Sequence, residues 1–378
     1  MKPLHIVWVL ANNSSAPYFS WFAQRAQGEK DVRFSFVCLY PEMPEMIAEM
    51  EALGHKAYWV PFDDRLRSRS MLGAFPKLVK LFRRIRPDVV HAHLFDDAVP
   101  ALAAARVTGV KMRVITKGDA AFHWYFAPKG VKYDRLNNRN ATHIVALSEE
   151  SRRFILEKEQ ADPKKLRLVH HGVPDRLTVQ SEEKKQALRH RFQLGEEHLV
   201  IGTVSRLIAW KGYRQIIEAA ALLVPEFPQL RFLFTGQGEQ KAALEQLIRE
   251  KNLAAHIQFT GWVSREEMPS LYGIMNVYLH AAKQEPFGFV IAEALLNGVP
   301  VVSTPTGAAG DAIRDGVNGF FAKEQEAHAI ATALRKMLLL SPDERKTIGE
   351  KGKQSARELF TFEQMWRNHM ALYQENRG

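Results

Sequence analysis

The sequence predicts an α/β protein built from two Rossmann-like domains, each with a doubly wound parallel sheet, and three observations support this fold class. The chain has 378 residues, which exceeds what one hydrophobic core usually organises. Short apolar runs alternate with amphipathic helical segments in both halves, as expected for repeated βα units. The alternation lapses between Gly172 and Gly195, where a turn, a charged run and one modest helix indicate a connection between domains.

Seven strands are predicted in the first half. Each is a short run rich in apolar residues, which suits a strand buried on both faces of a parallel sheet. The predicted strands cover residues 4–10, 32–39, 56–60, 88–91, 112–116, 143–147 and 166–169. Helices are predicted between them, for example over residues 44–53, 70–86, 97–108 and 149–160.

The second half repeats this pattern with six further strands. They are predicted over residues 199–204, 230–234, 256–260, 277–280, 299–304 and 319–322. Three helical segments follow, over residues 324–340, 342–359 and 362–375. Strands that alternate with helices in this way form a parallel sheet covered on both faces.

The net charge, the cysteine count and the lengths of the apolar runs limit the partners and the kinds of site that this chain can have. The formal net charge of +10 favours an anionic partner such as a nucleotide, a nucleic acid or a lipid surface. No zinc-finger, helix-turn-helix or RNA-binding signature accompanies the charge, so nucleic acid is the least favoured of the three. The single cysteine, Cys38, excludes a disulfide within the chain and a cysteine zinc site. No apolar run approaches the roughly 18 to 20 residues that span a bilayer, and the first residues lack the features of a signal peptide, so we expect a cytoplasmic protein.

The stretch from residue 281 to 305 combines a loop, a helix and a strand in a way that suits a phosphate ligand. A turn-forming run ends at Gly288, and a short helix is predicted from Phe289 onwards. A helix N-terminus exposes unpaired amides and the positive end of the dipole, and no acidic residue occupies this first turn. Two carboxylates, Glu285 and Glu293, bracket the N-terminus, and they suit the hydroxyls of a sugar.

A second cluster of polar and basic residues follows the strand predicted over residues 199–204. Ser205 and Arg206 come directly after that strand, and Lys211 follows a short loop. Ligands of parallel sheets bind at the carboxyl ends of the strands. At that place an arginine can hold a diphosphate in a bidentate fork, and a lysine can add a point charge.

These motifs resemble those of retaining glycosyltransferases with the GT-B fold, above all glycosyltransferase family four, the group 1 glycosyl transferases. The string EPFGFVIAEAL, followed by NGVPVVS, is similar to the Glu-x7-Glu signature of that family, and GTVSRL followed by KG is similar to its G-x-x-S-R-L…K-G element. The resemblance implies two domains that face each other across a cleft. Residues 1–172 would form an acceptor-binding domain, residues 173–361 a nucleotide-sugar-binding domain, and residues 362–378 a helix that crosses back to the first domain.

The resemblance also implies a donor site in the second half. Arg206 and Lys211 would hold the diphosphate at the helix N-terminus, Glu293 would accept hydrogen bonds from the ribose, and Glu285 from the donor sugar. Catalysis would consist mainly of stabilising the negative charge that grows on the departing diphosphate, with Arg206, Lys211 and Glu285 as catalytic candidates. The full set of expected donor-binding residues is Ser205, Arg206, Lys211, Gly236, Trp262, Val263, Glu285, Phe287, Gly288, Phe289, Val290 and Glu293.

The first half departs from the family pattern on the acceptor side. The glycine pair common after the first strand is replaced by Asn12, Asn13 and Ser14, whose side chains can still form hydrogen bonds. The histidine that many members place after the strand equivalent to residues 112–116 is also absent. Asp119 or His123 can take its role, which makes His123 a further catalytic candidate. The alternative for His123 is a histidine packed in the core.

The predicted activity is the retaining transfer of a sugar from a nucleotide-diphosphate sugar, a UDP-sugar in preference to a GDP-sugar, to a glycan or lipid-linked acceptor in surface polysaccharide or lipopolysaccharide synthesis. No other cofactor is expected. No metal is expected either, because Asp96 and Asp97 are adjacent rather than spaced as in an Asp-x-Asp motif. Two alternatives stay open: a GT-B sugar-nucleotide epimerase, and a non-catalytic nucleotide-sugar-binding protein.

One strongly basic segment lies between Arg65 and Arg86, which contains eight Lys or Arg and no Asp or Glu. On a helix, its apolar and basic side chains would occupy opposite faces. The apolar face is predicted to hold Leu72, Phe75, Leu78, Val79 and Phe82, and the basic face Lys77, Lys80 and Arg84. We predict that the basic face binds anionic lipid at the inner face of the cytoplasmic membrane. An ordinary surface helix packed on the sheet is the alternative.

Overall fold

The computed structural model of the protein describes residues 2–11, 17–118 and 120–375. The chain divides into two units, Met1–Val169 with Trp366–Gly378, and His170–Met365. The sequence suggested boundaries after residues 172 and 361. The observed boundaries lie three residues earlier and four residues later, respectively.

The first unit contains a seven-stranded parallel sheet in the order β3-β2-β1-β4-β5-β6-β7. Its strands are β1 (Leu4–Ala11), β2 (Val32–Tyr40), β3 (Lys56–Pro61), β4 (Val89–Ala92), β5 (Met112–Thr116), β6 (His143–Ala146) and β7 (Leu166–Leu168). Its helices are α1 (Pro17–Ala26), α2 (Glu45–Ala52), α3 (Arg67–Ile85), α4 (Phe95–Val107), α5 (Phe122–Phe126), α6 (Val131–Asn140) and α7 (Glu149–Glu157).

The second unit contains a six-stranded parallel sheet in the order β10-β9-β8-β11-β12-β13. Its strands are β8 (Leu199–Val204), β9 (Leu230–Thr235), β10 (Ile257–Gly261), β11 (Val277–His280), β12 (Val301–Ser303) and β13 (Phe320–Phe321). Its helices are α8 (Glu182–Arg191), α9 (Tyr213–Leu223), α10 (Lys241–Glu250), α11 (Met268–Gly273), α12 (Phe289–Leu296), α13 (Gly307–Ala312), α14 (Ala327–Leu338) and α15 (Pro342–Leu359). The predicted fold class, two doubly wound parallel-sheet domains, is confirmed.

The strand order of the second unit determines where a ligand can bind. From β8 the chain runs outward through β9 to β10, and it then returns to the other side of β8 to form β11. In an open α/β sheet, ligands bind at the carboxyl ends of the strands where the order reverses in this way. The loops that follow β8 and β11 therefore lie at the binding position of this sheet.

The last helix, α16 (Phe362–Gln374), packs its second half in the core of the first unit. The Tyr373 hydroxyl accepts a hydrogen bond from Trp8 Nε1 at 2.9 Å and lies 2.6 Å from His91 Nδ1. The Trp366 ring packs 4.7 Å from the Phe22 ring, measured between centroids. The first sheet thus depends on residues more than 270 positions further along the chain for part of its core.

Four of the five side chains predicted on the apolar face of α3 pack in or against the core of the first unit, and Leu72 does not. The buried side chains of this helix are Ala74, Leu78, Leu81 and Phe82. Leu72, predicted on the same face, is 78% exposed. Ala74 and Leu81, which were not predicted on this face, are also buried. Among the helices in the described ranges, none is long and apolar enough to cross a bilayer.

Candidate functional site

The β8–α9 loop is held against the loop after β11 by a close approach of the two backbones. Gly212 begins α9 with φ of 78°, and a Cβ added there would lie 2.1 Å from the Ala281 carbonyl oxygen. The Lys283 amide donates to the Trp210 carbonyl at 2.9 Å. Gln325 Nε2 donates to both loops, to Trp210 at 2.9 Å and to Ala281 at 2.7 Å. Only glycine permits this contact, which fixes the position of the preceding lysine.

Lys211 and Glu285 come together across these two loops. Lys211 Nζ forms an ion pair with Glu285 Oε2, and His280 Nε2 lies 3.3 Å from the same oxygen. Burial alone would raise the pKa of Glu285, but His280 and Lys211 lower that pKa to about 2. Burial lowers the pKa of His280. Glu285 is therefore an ionised carboxylate with acceptor capacity only.

His280 is a residue of this site that the sequence analysis did not identify. It is the last residue of β11 and is almost completely buried. A histidine at the carboxyl end of a strand, five residues before the glutamate of the motif, was the signal available in the sequence. A similar position in the first half, His91, belongs instead to the core, where its Nε2 lies 2.8 Å from Thr116 Oγ1.

Glu293 lies inside α12 in a different environment. Its side chain is buried, and it accepts a hydrogen bond from the Tyr272 hydroxyl at 2.9 Å. Arg265 Nη1 lies 3.8 Å from its other oxygen. Burial raises the pKa of Glu293, against the lowering effects of Tyr272 and Arg265. Tyr272 and Arg265 were not identified from the sequence because neither belongs to a recognisable motif.

A glycine precedes the N-terminus of α12, and the first residues of α13 contact the turn before it. Gly288 has φ of 83°, and a Cβ there would lie 2.8 Å from Glu285 Cγ. The Ala308 amide donates to the Phe287 carbonyl at 2.6 Å, and a Cβ on Gly307 would lie 2.3 Å from the same oxygen. The first turn of α12, which includes Phe289 and Val290, contains no acidic residue. This end of α12 is electrostatically suited to an anion.

Arg206 and Ser205 follow β8 directly. The Tyr213 hydroxyl donates to the Ser205 carbonyl at 3.1 Å, and Ser205 Oγ donates to that hydroxyl at 3.0 Å. Gly236, with φ of 136°, passes so close that a Cβ would lie 2.0 Å from the Ser205 carbonyl oxygen. Arg206 is exposed, and its guanidinium has no ion pair or hydrogen bond to any residue in the described ranges. It is thus available to an anionic ligand.

The segment after β10 lies beside these loops. The Gly236 amide donates to the Gly261 carbonyl at 3.0 Å, which connects the ends of β9 and β10. Trp262 is 68% exposed, whereas Val263 is buried. Of the twelve predicted donor-binding residues, eleven therefore lie on loops and helix starts of the second unit that follow β8, β9, β10 and β11, and Glu293 lies within α12.

The predicted acceptor-side residues belong to the first unit. Asn12, Asn13, Ser14 and Asp119 lie outside the described residues. His123 is in α5 and is 5% exposed, and its Nδ1 lies 2.8 Å from Asp134 Oδ2. The histidine is therefore packed in the unit and held by a carboxylate.

Asp97 serves as a structural anchor. Its carboxylate accepts hydrogen bonds from the backbone amides of Ala11, His93 and Leu94 at 3.2, 3.0 and 2.9 Å. These bonds tie the end of β1 to the start of α4. Within the part of the chain that the structure describes, no group of three or more His, Cys, Asp or Glu residues could hold a metal ion.

Two family models match the chain, one on each half. The model of the Glycosyltransferase Family 4 matches residues 24–177, and the model of the Glycosyl transferases group 1 matches residues 184–355. Most of the site described above falls within the second match. The two matches meet where the sequence predicted the connection between domains.

Several known proteins are similar to the chain over most of its length. A 2-deoxystreptamine glucosyltransferase of Streptomyces kanamyceticus is 27% identical, with 83% of this chain and 87% of that protein covered. The capsular polysaccharide biosynthesis glycosyltransferase CapM of Staphylococcus aureus is 24% identical, with 84% of each chain covered. The crystal structure of HepE from Anabaena in complex with UDP superposes with a TM-score of 0.82 at 20% identity, covering 98% of this chain and 99% of that one.

The close approach at Gly212 allows a stability prediction with a matched control. Gly212→Ala adds a methyl group 2.1 Å from a backbone carbonyl, so the two loops must separate. Gly261→Ala introduces alanine at a similar φ, 73°, with nothing within 4 Å of the new Cβ. We expect Gly261→Ala to cost about 1 kcal/mol in unfolding free energy from backbone strain alone, and Gly212→Ala roughly 3 kcal/mol or more. Urea denaturation measures both, and equal midpoints would contradict the steric role of the contact.

Proposed function

Because the chain belongs to the group 1 glycosyltransferases and has their GT-B fold, we propose that it transfers a sugar from a UDP-sugar to a glycan or lipid-linked acceptor, with retention at the anomeric carbon and without a metal ion. The family membership carries glycosyltransferase activity and a nucleotide-sugar donor in general. The finer proposal depends on one observation: the ion pair of Lys211 and Glu285 lies beside the open N-terminus of α12, at the switch point of the second sheet.

In this proposal the second unit binds the donor and the first unit binds the acceptor. The diphosphate lies at the N-terminus of α12, where Arg206 holds it as a bidentate fork and Lys211 adds a point charge. When the bond between the sugar and the diphosphate breaks, negative charge grows on the leaving group. The arginine, the lysine and the helix dipole stabilise that charge, and together they supply the role that a divalent ion has in other enzymes.

The two glutamates have separate roles that follow from their environments. Glu285 is ionised and can only accept hydrogen bonds, which suits the hydroxyls of the donor sugar. Glu293 is held by Tyr272 and would accept hydrogen bonds from the ribose. The backbone at Trp262 and Val263 would face the base. The choice of uridine is supported by the relative HepE, which was crystallised with UDP.

The acceptor class is inferred from relatives. CapM is a capsular polysaccharide biosynthesis glycosyltransferase, and a further relative of this chain, from Acholeplasma laidlawii, is an alpha-monoglucosyldiacylglycerol synthase. We therefore propose an acceptor that belongs to surface polysaccharide or lipopolysaccharide synthesis and is lipid-linked or carries exposed sugar hydroxyls.

A panel of UDP-, GDP- and ADP-sugars, incubated with the protein in excess chelator, tests this function. We expect slow release of UDP from one UDP-sugar, faster release when an acceptor glycan is present, and a product that retains the anomeric configuration. Arg206→Ala should reduce the rate about a hundredfold, the magnitude observed on removing one charge-stabilising donor, and Arg206→Lys should reduce it less. Activity abolished by chelator and restored by Mg²⁺ or Mn²⁺ would contradict metal independence. Sugar isomers would indicate an epimerase, and binding without turnover a binding protein.

The separate roles of the glutamates predict different kinetic effects. Glu293→Ala should weaken binding of free UDP, because a ribose contact is lost. Glu285→Ala should leave UDP affinity nearly unchanged and reduce turnover, because its contact is with the sugar. Each lost charge-assisted hydrogen bond should cost roughly 1.5 to 3 kcal/mol. Glu266→Ala is the control, because it removes an exposed glutamate that is next to Arg265 in sequence. Titration calorimetry with UDP and steady-state rates measure both effects, and two variants that behave like wild type would refute the assignment.

We also propose that the protein binds the inner face of the cytoplasmic membrane through the segment from Arg65 to Arg86. Lys77, Lys80 and Arg83 are exposed on α3, and Leu66 and Leu72 are 55% and 78% exposed near its start. Basic side chains contribute about 1 kcal/mol each near an anionic surface, and exposed leucines can enter the interface. Sedimentation with anionic vesicles at low salt should deplete the protein, and Lys77→Glu with Lys80→Glu should prevent depletion. Equal partition onto neutral and anionic vesicles would exclude this interaction.

A further inference from the structure

A cluster of charged side chains is buried in the first unit, directly after β5. Lys117 is 2% exposed, Glu159 4% and Asp134 6%. Lys117 Nζ lies 2.9 Å from Asp134 Oδ1 and 3.1 Å from Glu159 Oε2. His123 Nδ1 lies 2.8 Å from the other oxygen of Asp134. Asp134 thus connects an ammonium group to an imidazole, one on each carboxylate oxygen.

Burying these charges is costly, so the cluster needs an explanation beyond packing. A buried ion pair is often no more stabilising than apolar residues of the same shape. Among the described residues, two carboxyl groups, those of Asp134 and Glu159, contact the ammonium group of Lys117. Burial alone would raise the pKa of Asp134, but His123 and Lys117 keep that pKa below its ordinary value. Burial raises the pKa of Glu159. The contacts with His123 and Lys117 therefore favour the ionised form of Asp134.

Asp134 determines which nitrogen of His123 carries the proton. A carboxylate can only accept hydrogen bonds, so the Nδ1 that faces it must carry hydrogen. In a neutral ring the other nitrogen, Nε2, is then a hydrogen-bond acceptor. Within the described ranges, no residue is hydrogen-bonded to Nε2.

Packing contacts also restrict rotation of the His123 ring. Gly130 packs against one side so closely that an added Cβ would lie 2.3 Å from His123 Cδ2. The Phe95 ring contacts the imidazole with centroids 4.2 Å apart. The orientation of the imidazole is therefore determined by packing, and its tautomer by Asp134. Lys117 follows β5 immediately, so the cluster lies at the carboxyl edge of the sheet, where parallel sheets bind ligands.

We propose that Asp134, oriented by Lys117, is a positioning residue that holds His123 in its Nδ1–H tautomer, so that Nε2 accepts a hydrogen bond from a hydroxyl of the acceptor. The substrate part of this proposal depends on the function proposed above. The positioning part depends only on the contacts among these side chains. Asp134 acts through His123 and does not itself touch the substrate.

Asp134→Asn is the decisive variant, because Lys117 determines how the new amide must lie. The ammonium of Lys117 donates only, so the amide oxygen must take the position of Oδ1. The amide nitrogen then faces His123 and donates to Nδ1, which moves the ring proton to Nε2. Nε2 becomes a donor and can no longer accept a hydrogen bond. The volume of the side chain and the packing around it are unchanged.

The tautomer is measured by nitrogen-15 NMR of histidine-labelled protein, with the His123 signals identified by their absence in His123→Gln. Wild type should show the Nδ1–H form, and Asp134→Asn the Nε2–H form. The turnover number with acceptor present should fall at least about tenfold in Asp134→Asn, the effect of losing one good hydrogen bond. The affinity for UDP should stay unchanged, because the donor-binding residues are all in the other unit.

Glu159→Gln is the matched control. It replaces the carboxyl group of the other partner of Lys117 by an amide and does not contact His123. We expect it to keep the Nδ1–H tautomer and the wild-type rate. If Asp134→Asn keeps the wild-type tautomer, or if both variants lose activity equally, Asp134 is only a structural residue and the proposal is wrong.

A double variant keeps the proposal testable if Asp134→Asn folds poorly. His123→Gln removes the imidazole, and Asp134→Asn added to it should cause no further loss of rate, because Asp134 acts through His123. Independent, additive losses would overturn the positioning role. A wild-type protein with the Nδ1–H tautomer that turns over no sugar nucleotide would refute the function proposed above, while the positioning of His123 by Asp134 would stand.

Discussion

The contact between Gly212 and the Ala281 carbonyl is the constraint on which the site of the second unit depends. Strands β8 and β11 are adjacent only because the chain returns past β8 after forming β10, and their loops start from neighbouring positions. The absence of a side chain at Gly212 lets the loops join. Lys211, one residue earlier, then reaches Glu285, which is 74 positions away in sequence. Without this close approach of the two loops, Lys211 would not contact Glu285.

Environment, and not residue type, distinguishes the two glutamates of the motif. Glu285 faces Lys211 and His280, which outweigh the cost of burial and leave it ionised. Glu293, eight positions further along the chain and inside α12, meets a tyrosine and a distant arginine, so burial prevails and raises its pKa. The same side chain therefore offers an acceptor with a pKa of about 2 before the helix and an acceptor with a raised pKa within it. This difference is the physical basis for the separate roles that we propose for the two residues in donor binding.

The first unit also carries buried, paired charges at the edge of its sheet, but the residues differ from those of the family pattern. The glycine pair typical of the family is replaced, and the familiar histidine after β5 is missing, yet the same edge of the sheet carries an oriented imidazole. His123 comes from the next helix along the chain, and a buried carboxylate and lysine hold it. The last helix completes the core of this unit by hydrogen bonding Tyr373 to Trp8. Both units thus place buried, paired charges at the carboxyl ends of parallel strands, where the sheet leaves backbone and side chains open to a ligand.

The sequence by itself determined the fold class, all thirteen strands of the two described sheets and the motif of Glu285 and Glu293, because these depend on local patterns: apolar runs of strand length, a glycine before a helix, and glutamates at a set spacing. It could not identify His280, Tyr272, Arg265 or the partners of His123, since each acquires its role from a residue far away in sequence. It also misassigned Leu72, because helical periodicity defines an apolar stripe but not which part of it the sheet covers. Only the tertiary structure decided which charges are buried together. Burial and distance set the pKa of Glu285 and the orientation of His123, and neither quantity is a property of a short stretch of chain.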